Sequence, residues 1–64
     1  MNYAEFYREN AGKQVRAEMT DGEIFVGELF AYISAADNDP DPESIVINRT
    51  ELFTREISWI EAVL

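Results

Sequence analysis

The stretch that decides the fold is residues 13–33, KQVRAEMTDGEIFVGELFAYI. In its first part, polar residues alternate with apolar ones at Val15, Ala17 and Met19. This period of two is typical of a strand with one buried face. Asp21-Gly22 follows and indicates a hairpin with a type I′ turn, which needs positive φ at both central positions. The stretch therefore predicts two antiparallel strands, at about residues 13–20 and 23–33.

The second predicted strand has apolar residues on both faces. Alternation places Phe25, Gly27, Leu29 and Ala31 on one face, which we expect to be the buried one. The opposite face then carries Ile24, Val26 and Phe30. Gly27 inside a strand indicates a sharp bend or the close approach of another backbone, and a small barrel bends its sheet at such points.

The remaining elements complete a single domain, residues 1–64. Asn2 and Glu5 form a variant of the capping box, and an aromatic stripe follows at i, i+3 and i+4, which predicts a helix over about residues 2–10. Three more short strands are predicted, at about residues 44–48, 51–54 and 58–64. Five short strands in so small a chain are unfavourable as a flat sheet with two open edges, so we expect a barrel. The predicted fold class is mainly β, with a short N-terminal helix before a five-stranded barrel.

The same stretch resembles the first sequence motif of the Sm-like (LSm) family. That motif reads G-x-x-V followed by D-G-x-x-x-x-G-x-L-x-x-Y, and the matching residues are Gly12, Val15, Asp21, Gly22, Gly27, Leu29 and Tyr32. Ile57-x-x-Ile60 resembles the paired hydrophobic residues that close the second motif. The resemblance spans nearly the whole chain and implies a strongly bent, SH3-like small β-barrel. It also implies that subunits join by pairing the fourth strand of one copy with the fifth strand of the next.

The residues that carry RNA binding in the Sm-like family are changed here. RNA-binding members have an aspartate directly after the aromatic residue of the first motif, where this chain has Ile33, and an asparagine a few residues on, for which Asn38 is the candidate. Their second motif contains Arg-Gly, and Thr54-Arg55-Glu56 stands in its place. A glutamate beside the arginine would repel a phosphate. The resemblance therefore implies the fold more strongly than it implies RNA binding through Asn38 and Arg55.

Composition and charge narrow the classes of function. The chain has 13 acidic and 5 basic residues, a net charge of −8, which repels nucleic-acid backbones and anionic membranes. It has no His and no Cys, and Lys13 is its only lysine, so a catalytic site would need carboxylates and tyrosines alone. We therefore predict no enzyme activity and no cofactor. With no apolar run long enough for a bilayer and no signal-like N-terminus, the expected compartment is the cytoplasm.

The segment DNDPDPE at residues 37–43 is a candidate metal-binding loop. Its candidate ligands, at the 1, 3, 5 spacing of an EF-hand loop, are Asp37, Asp39 and Asp41. However, the position that needs glycine is Pro42, and the position that needs a bidentate glutamate is Asn48. The prolines also favour an extended chain that spreads the carboxylates apart. We predict a solvated loop, with weak calcium or magnesium binding and docking of a basic partner protein as the alternatives.

Apolar residues that the core does not need predict self-association. The outward face of the second strand, with Val46 and either Trp59 or Ile60, would form a patch larger than a soluble monomer usually exposes. Aromatic residues dominate protein interfaces. The expected interface residues are Phe53, Trp59, Val26 and Phe30. The alternative for Trp59 is that it completes the core of the monomer.

The predicted function is a non-catalytic protein-interaction or self-assembly module that forms a homo-oligomer, either a ring or a dimer. One alternative is a nucleic-acid-binding ring, for which a small basic patch is available at Arg8, Lys13 and Arg16. Another is an acidic barrel that imitates nucleic acid and occupies a nucleic-acid-binding protein. The charge of the chain favours the first function over nucleic-acid binding.

Overall fold

The computed structural model describes residues 1–63, and the fold is mainly β, as predicted. Helix α1 spans Tyr3–Asn10, and the strands are β1 (Gln14–Met19), β2 (Ile24–Ile33), β3 (Ser44–Ile47), β4 (Thr50–Phe53) and β5 (Ile57–Ala62). Two short elements were not expected from the sequence, helix α2 at Ala35–Asn38 and a 3₁₀ turn at Thr54–Glu56. Residue 64, the last of the predicted fifth strand, lies outside the described residues. Among residues 1–63, no helix has the length and apolar character needed to cross a membrane.

The five strands form one antiparallel sheet in the order β4-β3-β2-β1-β5. β2 is therefore the central strand, and β4 and β5 are the two edges. The last strand pairs with the first, with Ala17 opposite Ile60. The sheet formed by residues 1–63 is not closed into a barrel, so barrel closure stays a prediction.

The β1–β2 hairpin is present, but its turn is not the predicted type I′. Positive φ is found at Gly22 (91°) and not at Asp21. The N–H of Met19 donates to the O of Glu23 at 2.8 Å, and the N–H of Gly22 donates to the O of Met19 at 2.9 Å. This is the pattern of a three-residue hairpin loop that ends in one left-handed glycine. Asp21 contributes through its side chain, because its Oδ1 accepts from the N–H of Glu23 at 2.9 Å.

A β-bulge after Leu29 changes which residues of β2 face the core. Beyond the bulge, Ala31 pairs with Val46 and Tyr32 pairs with Ile45. Cross-strand partners share a face, and Ile45 is fully buried, so Tyr32 packs against the core. The expectation that Ala31 continues the inward face is therefore wrong, because the bulge moves it to the outer face with Val46.

Gly27 marks a close approach, by a side chain rather than by a backbone. The amide of Asn48 occupies the space that a Cβ at Gly27 would need. Asn48 has a φ of 57° in the β3–β4 turn. Its backbone N–H donates to the O of Glu28 at 2.8 Å, and its Oδ1 accepts from the N–H of Glu28 at 3.0 Å. Asparagine tolerates left-handed φ better than most residues, so Asn48 both forms the turn and fastens it to β2.

The core lies on the inner face of the sheet and draws on all five strands. Its buried members are Val15, Ala17, Met19, Leu29, Ile45, Ile47, Leu52, Ile57 and Ile60. The aromatic stripe of α1 packs against them, and Asn2 caps this helix as predicted, because its Oδ1 accepts from the N–H of Glu5 at 3.0 Å. Of the neighbouring residues Trp59 and Ile60 in β5, Ile60 is buried in the core, so Trp59 lies on the outer face.

Candidate interaction surfaces

The outer face of β2 carries exposed apolar side chains, as the alternation predicts. Ile24, Val26 and Phe30 are 40%, 55% and 64% exposed. Val46 of β3 lies beside Phe30 in an open groove of about 590 Å³, whose other lining residues are Glu28, Asn48 and Arg49. The set Ile24, Val26, Phe30 and Val46 is referred to below as the outer-face patch.

Trp59 is held on the outer face of β5 by two side chains of β1. Its indole N–H donates to Oε1 of Glu18 at 2.8 Å, and the guanidinium of Arg16 lies 5.5 Å from the ring centroid. Both contacts follow from the strand register, in which Glu18 is opposite Trp59 and Arg16 is opposite Glu61. Trp59 is partly buried and lies outside the core cluster. Its role at an interface stays a prediction.

Phe53, the other aromatic residue expected at an interface, ends the edge strand β4. It is partly buried and lies opposite Ser44 of β3. Phe53 and Trp59 therefore lie on the two different edge strands of the sheet. An interface role for Phe53 also stays a prediction.

The acidic segment combines a helical turn with solvated aspartates. Asp37 lies in α2, where its N–H donates to the hydroxyl of Ser34 at 3.2 Å. Asp37, Asp39 and Asp41 are all exposed. Within residues 1–63, no group of three or more His, Cys, Asp or Glu side chains is arranged to hold a metal ion. The structure thus does not bring the three candidate ligands into such a group.

Asn38, the candidate RNA-binding asparagine, is engaged within the protein. Its Nδ2 donates to the O of Pro42 at 2.8 Å and to Oε2 of Glu51 at 3.1 Å. The same oxygen of Glu51 accepts from the hydroxyl of Ser44, a fully buried residue, at 2.7 Å. These bonds fasten α2 to β3 and β4, so the amide of Asn38 already serves the fold.

Glu43 holds the β2–β3 connection against the 3₁₀ turn. Its carboxylate accepts from the hydroxyl of Tyr32 at 2.5 Å and from the hydroxyl of Thr54 at 2.6 Å, and its O accepts from the N–H of Thr54 at 3.0 Å. The hydrogen bond to Glu43, with a smaller effect of burial, raises the pKa of Tyr32. Burial, with a smaller effect of the negative charge of Glu43, raises the pKa of Tyr3. Sequence reasoning missed Glu43, since nothing local in the sequence links it to Tyr32 or Thr54.

Arg55 is exposed in the 3₁₀ turn. The hydrogen bond from Thr54 to Glu43 joins this turn to the β2–β3 connection, which also contains Asn38. Its next neighbour is the exposed Glu56. A cavity of about 350 Å³ opens between this turn, β4 and the β1–β2 hairpin. Four carboxylate residues contribute to its lining, Asp21, Glu23, Glu51 and Glu56. The surroundings of Arg55 are therefore rich in negative charge.

A scan against protein-family models and searches of curated proteins and of solved structures found no match to this chain. The Sm-like resemblance accordingly rests on the sequence motifs quoted above.

Proposed function

We propose that this protein is a non-catalytic self-assembly module with an Sm-like fold, in which the fourth strand of one copy pairs with the fifth strand of the next. The observation that carries this proposal is that β4 and β5 are the two open edges of the sheet. An open edge presents unpaired backbone N–H and C=O groups, and pairing with another copy satisfies them. The two strands that the Sm-like resemblance assigns to subunit contact are thus the two that are available for it.

The charges beside the two edges support a head-to-tail contact. Arg49 directly precedes β4 and Arg55 follows it, whereas Glu56 directly precedes β5 and Glu61 lies within it. All four side chains are exposed. β4 itself also contains the exposed Glu51, so its charge is mixed, whereas the charged residue within β5 is Glu61. A contact between β4 and β5 brings Arg49 and Arg55 towards Glu61, while a β5–β5 contact brings glutamates together. A head-to-tail contact of this kind closes into a ring when its rotation permits.

The same proposal includes the strongly bent, SH3-like barrel geometry of the Sm-like family. It is supported by the order of elements, one helix followed by five antiparallel strands, and by the bulge in β2, because a bulge bends its strand. Phe53 and Trp59, one on each edge strand, are the proposed aromatic anchors of the contact.

A nucleic-acid-binding ring is the less supported alternative. The amide of Asn38 is engaged by Pro42 and Glu51, and Arg55 is followed by Glu56. The net charge of −8 opposes phosphate binding as well. On our proposal, the protein has no measurable affinity for U-rich or A-rich RNA at physiological salt.

Light scattering at micromolar concentration tests the assembly. We expect a multiple of the 7.3 kDa monomer mass for the wild type and a lower mass for the double variant Arg49→Glu/Arg55→Glu. Adding Glu56→Lys/Glu61→Lys to the same chain should restore the mass, because the charges then attract again with their signs exchanged. The matched control is Arg8→Glu/Lys13→Glu, which makes the same change in net charge on α1 and in the turn before β1, outside both edge strands, and should leave the mass unchanged. A wild-type mass of 7.3 kDa at every concentration would refute the proposal.

A further inference from the structure

The outer-face patch lies where edge pairing does not cover it. Its exposed members Ile24, Val26 and Phe30 belong to β2, the central strand, and Val46 belongs to the neighbouring β3. One strand lies between β2 and each edge of the sheet: β1 separates it from β5, and β3 separates it from β4. Assembly through β4 and β5 would therefore leave Val26 and Phe30, which the sequence led us to expect at the contact between copies, in contact with water, as a second apolar surface that is distinct from the two edges.

The side chains around the patch are mostly acidic. Glu18 lies opposite Ile24, Glu28 lines the groove beside Phe30, and Glu51 lies opposite Val46. Glu61 adds a fourth carboxylate across from Arg16. The cationic side chains on this face are Arg16, which lies opposite Val26 and over the ring of Trp59, and Arg49 in the groove. Carboxylates thus outnumber guanidinium groups around an apolar centre, in a protein whose net charge is −8.

We propose that the outer-face patch docks a cationic amphipathic segment of a partner protein. The apolar side of such a segment would cover Val26 and Phe30 and fill the groove beside Val46. Its Lys and Arg side chains would meet the carboxylates of Glu18 and Glu28. Burial of apolar area provides the affinity in this arrangement, and the surrounding acids speed the encounter and select against acidic partners.

Charge complementarity separates this occupant from two others. A second copy of the chain would bring the acidic surroundings of one patch against those of the other at a net charge of −8 each. Nucleic acid would bring phosphates towards Glu18 and Glu28. A cationic segment is the partner whose charges oppose those on this face.

Fluorescence anisotropy with a labelled helical peptide of leucine and lysine, all leucines on one face, tests the proposal on the full chain. A peptide of the same composition with its order scrambled is the control for charge alone. We expect the amphipathic peptide to bind more tightly than the scrambled one. The variant Val26→Ser/Phe30→Ser should weaken its binding about tenfold or more, since it removes two apolar contacts.

Two further variants separate docking at the patch from attraction by charge and from assembly through the edges. Asp37→Asn/Asp39→Asn/Asp41→Asn removes three exposed negative charges that are not among the carboxylates opposite or lining the patch, and we expect it to weaken binding less than Val26→Ser/Phe30→Ser does. Phe53→Lys alters the edge strand β4 and should leave peptide binding intact even where it lowers the oligomer mass, so failure of assembly and failure of docking are distinguishable. Circular dichroism checks that each variant folds.

Three results would overturn the proposal. The first is an amphipathic peptide that binds no better than the scrambled one. The second is a loss of affinity in the loop variant as large as that in Val26→Ser/Phe30→Ser, which would mean attraction by charge alone. The third is a lower oligomer mass in Val26→Ser/Phe30→Ser, which would assign the patch to contacts between copies.

Discussion

The two faces of β2 share one strand and have opposite relations to the rest of the protein. On the inner face, Leu29 is 1% exposed and contributes to the core, and Gly27 lies beneath the amide of Asn48. On the outer face, Phe30 is 64% exposed although it is larger and no less apolar than Leu29. Hydrophobicity therefore does not decide which residues are buried here, because strand alternation and the bulge decide it.

This difference in exposure suggests different roles for the inner and outer faces of β2. The core needs the inner face, since all its members lie on that side or beneath α1. Apolar side chains that remain exposed on the central strand add little to the stability of a monomer, and they reduce solubility. On our proposal, the inner face serves folding and the outer face serves binding, and the following substitutions test that division.

Leu29→Ala should give the largest loss of stability. Removing a fully buried leucine side chain costs about 2–5 kcal/mol, through lost burial and the cavity that remains. Its neighbour provides the matched control, because Phe30→Ala removes a larger side chain from the exposed face and should lower the free energy of unfolding by about 1 kcal/mol or less, mainly through the weaker strand preference of alanine. Urea denaturation followed by circular dichroism measures both. Equal losses in the two variants would contradict the division of the strand.

Gly27→Ala should have the next largest effect, about 1–3 kcal/mol, because the new methyl group displaces the Asn48 amide and leaves the N–H of Glu28 without its acceptor. Asn48→Gly keeps the left-handed φ of the turn and removes the displaced side chain. In the double variant the cost should be smaller than the sum of the single costs, and a double-mutant cycle in urea measures this coupling. Strict additivity would mean that Asn48 is not the obstacle at Gly27.

Tyr32→Phe should cost about 0.5–1.5 kcal/mol at neutral pH, because the hydrogen bond to Glu43 is lost. The pKa of Tyr32 is raised in the folded protein, so its contribution is fully present below the ordinary tyrosine pKa of 10.0 and is lost as the pH rises through the folded value. We expect wild-type stability to fall more steeply above pH 10 than that of Tyr32→Phe, measured by urea midpoints across this range. Tyr7→Phe removes a hydroxyl that donates to the O of Phe30 instead, and it should keep the wild-type slope. Identical slopes for wild type and Tyr32→Phe would argue against the Glu43 contact.

Val26→Thr should have the smallest effect. The two side chains have similar shapes and both suit a strand, and Val26 is 55% exposed, so we expect a change below about 0.5 kcal/mol in the free energy of unfolding. Thermal unfolding at two protein concentrations measures it. A larger loss that grows with protein concentration would mean that the outer-face patch is buried between copies of the chain.

Local patterns in the sequence were sufficient for the helix and the five strands. The Asn2 cap located the start of α1, and the alternation of Val15, Ala17 and Met19 located β1. The exposure of Val26 and Phe30 followed from the same kind of alternation in β2. These features depend on neighbours within one element, which a sequence displays directly.

Features that depend on distant residues were not predictable in the same way. One difference is local: Asp21-Gly22 predicted a type I′ turn, but the hairpin loop has three residues, Asp21 bonds the N–H of Glu23, and only Gly22 takes positive φ. The bulge in β2 results from pairing with β3, and the bonds of Asn38 and Glu43 join segments that are apart in the chain. Alternation alone also left open whether Trp59 or Ile60 is outward, which the register with β1 decides.

Pairing of β5 with β1 makes completion of the sheet depend on two strands that are far apart in the described chain. Until β5 pairs, β1 is one border of the sheet, and Ala17 and Met19 lack their cross-strand partners Ile60 and Ile57. The β1–β2 hairpin and the β2–β3–β4 meander join neighbours in the chain, whereas pairing of β5 with β1 closes the longest loop in the sheet, at the largest entropic cost. We therefore expect β5 to pair last during folding, and a sheet of β1–β4 alone would expose β1 as an unpaired edge that favours pairing with other chains.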